Sequence, residues 1–134
     1  MAKGIVRKLD ELGRVVIPME YRKSFGTTDR DSLGMIVENG VIQLVKAGPQ
    51  FIGMVQNLDE LGRYTLPVET RRALGLETGQ KMDIYVDELH DAICIRKEGC
   101  YLCSDVDDLR EFKGVRICGG CIEEISNLPR GGHA

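Results

Sequence analysis

The chain has 134 residues, 43% of them apolar, and a formal net charge of −3. That length holds one or two small domains, and the apolar share suits a folded soluble protein rather than a disordered or fibrous one. No apolar run approaches the roughly 20 residues needed to cross a bilayer, and no charged-then-apolar leader opens the sequence, so the expectation is a cytoplasmic protein without a membrane partner. The charge is unevenly spread. Residues 1–50 carry 8 basic and 6 acidic groups, 51–97 carry 6 and 8, and 98–134 carry 4 and 7. Only the first segment is basic, and a local basic patch decides whether nucleic acid can bind, whatever the total.

In chain order, residues 3–9 alternate as a strand, and Asp10-Glu11-Leu12-Gly13 reads as a turn with glycine available for a positive φ. Residues 14–17 resume as a second strand. Pro18 suits the first turn of a helix over 19–25, with Gly26 placed for its C-terminal cap. Residues 32–37 and 41–46 form a hairpin around Asn39-Gly40, a strong tight-turn signal. After a short linker, 47–50, the plan begins again: residues 4–26 and 53–75 are identical at 12 of 23 positions without a gap. Pro67 and Gly75 bound the second helix, and the longer loop Asp87-Glu88-Leu89-His90-Asp91 replaces the two-residue turn. Internal repetition sets architecture. A copy of about 48 residues is too short to bury much core by itself, so the copies are expected to complete each other.

The chain ends with Cys100-x-x-Cys103, 14 intervening residues and Cys118-x-x-Cys121. Four thiolates at this spacing suit one tetrahedral zinc ion per chain; two disulfides or a redox pair are the competing readings. Leu109, Phe112, Val115 and Ile117 are expected to form a very small core, joined by Ile122 and Ile125 from a helix begun at Cys121. Gly119-Gly120 would supply flexible backbone. Such a unit depends on metal to fold, whereas residues 1–97 should survive metal removal. A complete thiolate set leaves no open coordination position, which disfavours catalytic metal. Cys94 reads as a packed thiol, and His90 and His133 as solvent-exposed. Asp10-Glu11 and Asp59-Glu60 recur within turns and fix them through local hydrogen bonds. No catalytic triad or phosphate-binding glycine loop appears, so an enzyme is not expected.

Leu9-Asp10-Glu11-Leu12-Gly13-Arg14, followed by Val15-Val16-Ile17-Pro18, Glu20, the basic pair Arg22-Lys23 and Gly26, resembles the DNA-binding domain of AbrB/SpoVT-type bacterial transition-state regulators. The resemblance covers residues 3–46 closely and 52–97 more loosely. It implies a mainly β fold with short helices, in which two units interlock as a swapped-hairpin β-barrel, here either as an intramolecular pseudo-dimer or between two chains. It also implies that Arg7, Arg14, Arg22 and Lys23, with Lys8 beside them, bind double-stranded DNA, joined from the second copy by Arg63, Arg71 and Arg72. Gln56 and Asn57 replace Arg7 and Lys8 there, so the first copy is expected to dominate. The implied organisation is an AbrB-like repeat over 1–47, a second over 51–97, a zinc-ribbon-like four-cysteine module over 98–128 and a flexible tail over 129–134. The implied function is a DNA-binding transcriptional regulator of the bacterial cytoplasm and nucleoid, homo-oligomeric, with zinc serving assembly or a protein partner. An antitoxin of the MazE kind, which shares the fold, is the alternative. It would need a disordered acidic-hydrophobic tail where the cysteines stand.

Overall fold

The structure, a computed structural model, describes residues 4–26 and 31–131. Lys3, His133 and the last three residues of the expected tail lie outside them. The elements are β1 (Ile5–Lys8), β2 (Arg14–Val16), α1 (Met19–Phe25), β3 (Ser32–Glu38), β4 (Val41–Lys46), β5 (Val55–Asn57), β6 (Arg63–Thr65), α2 (Val68–Leu74), β7 (Lys81–Asp87), β8 (Ala92–Lys97), β9 (Leu109–Phe112), β10 (Val115–Cys118) and α3 (Gly119–Ser126). The fold is mainly β with short helices.

Local chemistry explains the boundaries. Asn39 and Gly40 both take positive φ, 50° and 77°, so the β3–β4 turn has the twist that a two-residue hairpin requires. Gly26 and Gly75 end α1 and α2 in the left-handed conformation, each amide reaching back to carbonyls of the last turn. Pro18 and Pro67 sit one residue before the first helical turn, at the N-cap, with ψ of 139° and 150°.

Six strands form one sheet in the order β1-β7-β8-β4-β3-β5, and β2 pairs with β6 in a separate ribbon. The opening strand of each segment leaves its own hairpin and joins the other's. β1 runs antiparallel to β7 with Lys8 opposite Lys81, and β5 runs antiparallel to β3 with Asn57 opposite Ser32. Val15 faces Tyr64 at the centre of the ribbon, and Gln43 faces Cys94 at the centre of the sheet. These two pairs mark a pseudo-twofold axis through the molecule.

Exchange is what closes the core. Val15 and Ile17 from one segment and Tyr64 and Leu66 from the other are fully buried against Leu33, Ile42, Ile93 and Ile95 of the sheet. Fully burying each such side chain contributes about 1.5–3 kcal/mol. Either segment by itself would expose its half of this surface. The Tyr64 hydroxyl donates to the Leu33 carbonyl at 3.4 Å, and burial pushes its phenol up to about 12.

After β8 the chain forms the β9–β10 hairpin and α3. Two expectations need correction here. The helix starts at Gly119, not Cys121, because the Cys118 sulfur caps it by accepting from the Cys121 amide. Gly119 and Gly120 are thus helical, and a side chain at Gly119 would collide with the Asp108 carboxylate. Phe112 and Ile125 are exposed at 61% and 46% and do not join the small core, whereas Leu109 and Ile117 pack on the buried cysteines. Leu109 lies opposite Cys118 in the hairpin, while Phe112 lies at its far end. The hairpin also rests on the large sheet: a Cβ at Gly40 would fall 2.8 Å from the Tyr101 ring and 3.3 Å from Val115.

Candidate nucleic-acid interface and metal centre

The Asp10 carboxylate organises its turn. One oxygen accepts from the amides of Leu12 (3.0 Å) and Arg14 (2.8 Å), and the other takes Nε of Arg14 at 2.7 Å. Desolvation pushes the Asp10 carboxyl upward, but these bonds from Arg14 and Leu12 outweigh it and hold it below its ordinary value. Asp59 repeats the arrangement with Leu61 and Arg63 at 2.9, 2.8 and 2.6 Å, and its carboxyl is lowered for the same reasons. The aspartate of each carboxylate pair recognised in the sequence is therefore a turn-former.

Alternation along the ribbon turns Val15 and Tyr64 inward. Arg14 and Arg63 consequently stand on its outer face, on diagonal positions, since Arg14 pairs with Thr65 and Val16 with Arg63. The helices add two more arginines, each crossing to the other segment. Arg22 anchors Nε on the Ile17 carbonyl at 3.0 Å and lies over Gly62; Arg71 anchors on the Leu66 carbonyl at 3.0 Å and lies over Gly13. A Cβ at either glycine would fall 2.6 Å from the overlying Cζ. The result is a band, Arg71–Arg14–Arg63–Arg22, drawn alternately from the two segments. Sequence reasoning grouped Arg14 with Arg22 because they share a copy. The structure groups Arg14 with Arg71, and Arg63 with Arg22.

The other basic candidates are placed differently. Lys23 and Arg72 are exposed on α1 and α2, beside the crossing arginines. Arg7 is half-buried on β1, its Nη1 on the Val6 carbonyl at 3.0 Å, and Lys8 is exposed next to it. Their counterparts do other work: the Gln56 side chain donates to the Thr65 carbonyl at 2.6 Å and accepts from its amide at 3.2 Å. Among the basic candidates, the charge difference between the copies therefore sits on β1 and β5, not in the arginine band.

The Sγ atoms of Cys100, Cys103, Cys118 and Cys121 all lie within 4.8 Å of one another. Zinc–sulfur bonds of about 2.3 Å in a tetrahedron place sulfurs about 3.8 Å apart, so the cluster is compatible with one metal ion. Cys103 and Cys118 are 3.5 Å apart, well beyond the disulfide length of about 2.05 Å. Backbone amides aim at the sulfurs, Leu102 at Cys100 and Cys121 at Cys118, both at 3.4 Å. Burial opposes ionisation of Cys100, but the surrounding amides of Cys118, Cys103 and Leu102 draw its thiol down to about 6. The Cys121 thiol is pushed up, first by its hydrogen bond to Cys103. Metal binding to such a set would release the remaining thiol protons to solvent.

Cys94 is buried beside Tyr85, and burial pushes its thiol up to about 11, as an inert core thiol requires. His90 is 66% exposed in its loop, with Nδ1 2.7 Å from Asp87.

No family model matches the chain, and no solved structure matches it. Over 46 residues it is 52% identical to the transition state regulatory protein AbrB of Bacillus subtilis (strain 168), a match covering 34% of this chain and 48% of that protein. The putative transition state regulator Abh of the same organism is 44% identical over 46 residues, covering 34% and 50%. Stage V sporulation protein T, also from Bacillus subtilis, is 45% identical over 49 residues, covering 36% and 28%. The matched segments span half or less of these relatives' lengths. For about a third of the chain, these similarities support the AbrB/SpoVT family.

Proposed function

We propose that this chain is a DNA-binding transcriptional regulator. Its two AbrB-like repeats, 1–47 and 51–97, interlock within one chain as a swapped-hairpin pseudo-dimer, and duplex DNA lies against the arginine band. The band carries this reading. Arg14, Arg22, Arg63 and Arg71 come together across the pseudo-twofold axis, each guanidinium fixed through Nε by a carboxylate or carbonyl. The terminal nitrogens are what an incoming phosphate or base edge meets, and pre-fixed forks lose little entropy on engaging it. Arg7, Lys8, Lys23 and Arg72 extend the basic surface.

The relatives' names, transition state regulators, support a regulator over an enzyme. Residues 98–128 hold one structural zinc through the four cysteines and serve assembly or a protein partner. An apolar groove of about 440 Å³ between Phe112, Ile117, Ile122 and Ile125 supports a contact there. That region folds as β9, β10 and α3, not as the extended tail an antitoxin would use. The regulator acts at the nucleoid as a homo-oligomer. No helix among the described residues is long and apolar enough to cross a membrane.

The test is footprinting of genomic fragments by the zinc-loaded protein, followed by gel shifts with single alanine variants. Arg14→Ala and Arg63→Ala should each weaken a protected duplex by about 1–3 kcal/mol where they read base edges, and by less on phosphate. Undiminished binding by both variants contradicts the interface.

A further inference from the structure

The residues beside the cysteines reach back onto the large sheet. The backbone carbonyl of Tyr101, next to Cys100, accepts from Nζ of Lys97 at 3.4 Å, and the Tyr101 ring, its centre 5.0 Å from that ammonium, covers the Gly40 turn. Arg116, two residues before Cys118, donates to the Lys97 carbonyl at 2.9 Å and places Nη2 3.4 Å from Asp83 Oδ2. Arg96 lies 3.7 Å from the same oxygen and stacks 4.6 Å over Tyr85. Asp83 is only 8% exposed. The seam between module and sheet leaves a void of about 10 Å³, so the two parts are packed together.

Asp83 is also one of the four β7 residues that pair with β1. It lies opposite Val6 in the β1–β7 ladder, and a side chain at Gly4 would collide with its carboxylate. β1 is four residues long, stands at the end of the sheet order, and carries Arg7 and Lys8. Short edge strands occupy the low end of local stability, where one lost neighbour changes their population most.

We propose that the chain is a metal-responsive DNA binder, in which filling of the four-thiolate centre is transmitted through Arg116 and Asp83 to β1. This rests on reading Arg7 and Lys8 as part of the DNA surface. The module has little apolar content, so without metal its hairpin loosens and Arg116 leaves Asp83. Removing one partner from a buried ion cluster is costly. The cost falls on β7 and on the strand that it holds, and the arginine band is spared because it is built on the ribbon and helices.

Hydrogen exchange of the full chain, read by mass spectrometry beside zinc content and duplex affinity, tests this. Chelation of the wild-type protein should raise exchange across residues 5–8 and weaken duplex binding by about fivefold or more, the lower end of ordinary allosteric coupling. Arg116→Leu should keep one zinc per chain yet show the same raised exchange and weakened binding with metal present, and Arg116→Lys should restore part of both. Tyr101→Ala, which leaves the ion cluster intact, should show a smaller rise. Unchanged β1 exchange and affinity after verified metal removal overturns the proposal. Should β1 respond while no state of the protein binds DNA, the DNA reading fails and the coupling from metal to strand remains.

Discussion

Asp10 and Asp59 each spend both carboxylate oxygens on the residues two and four positions further on, which is why the Asp-Glu-Leu-Gly-Arg motif keeps its form. Both carboxyls are held below their ordinary value of 3.8 when folded. The unfolded chain therefore binds protons more readily than the native one at these sites. Their contribution to stability is fully present above the unfolded value and is lost as pH falls from about 4 through the folded values. Thermal unfolding followed from pH 6 to pH 3 should show that loss, and the Asp10→Asn, Asp59→Asn double variant should start lower and show a shallower acid slope. An unchanged acid slope would remove these carboxylates from the turn's energetics. The turn and its carboxylate were legible in the sequence, since the motif appears twice with a glycine at the same place. The crossing of Arg22 over Gly62 and of Arg71 over Gly13 was not. It depends on which segment each helix packs against, and local pattern carries nothing about that.

At the scale of elements, Gly13 and Gly62 combine a left-handed φ, 78° and 76°, with an arginine lying directly above. Gly13→Ala should destabilise the fold by about 1–2 kcal/mol through left-handed backbone strain and displace Arg71. Chemical denaturation and gel shift should report both effects, with the loss of DNA binding matching that of Arg71→Ala. Gly48→Ala, where nothing lies within 4 Å of the added carbon, should change neither. Equal behaviour of the two variants would contradict the close approach. Strand and helix limits were legible where proline, glycine or Asn-Gly punctuate the chain. The start of α3 was misplaced because a sulfur caps it, and cysteine is not among the usual capping residues. Phe112 does not join the core because it stands beside the turn of its hairpin, at the end away from the cysteines, and apolar character says nothing of that place.

For the whole molecule, the repeat announced that two halves would share a core, but pairing within one chain and between two chains predict the same sequence pattern. The structure pairs β1 with β7, β5 with β3 and β2 with β6 in a single chain. This has a functional consequence that counting charges per copy concealed. The basic face is built jointly, so a chain with a net charge of −3 can still present four fixed arginines on one band. Among the basic candidates, the second copy loses charge only where Gln56 and Asn57 stand for Arg7 and Lys8. Arg14→Ala and Arg63→Ala should thus cost similar amounts in duplex affinity, while Arg7→Gln should cost more than Gln56→Ala; a large gap between the first two would return the dominant role to the first copy.

The central claim is that DNA is held on this joint basic face, and the salt dependence of duplex affinity tests it most directly. Fluorescence anisotropy titrations of the zinc-loaded protein, repeated from low to moderate salt, give the slope of log affinity against log salt concentration. Each neutralised phosphate contributes about −0.9, so engagement of the four band arginines with either Arg7 or Lys8 predicts a slope of about −4 or steeper. A flat line over that range would contradict it.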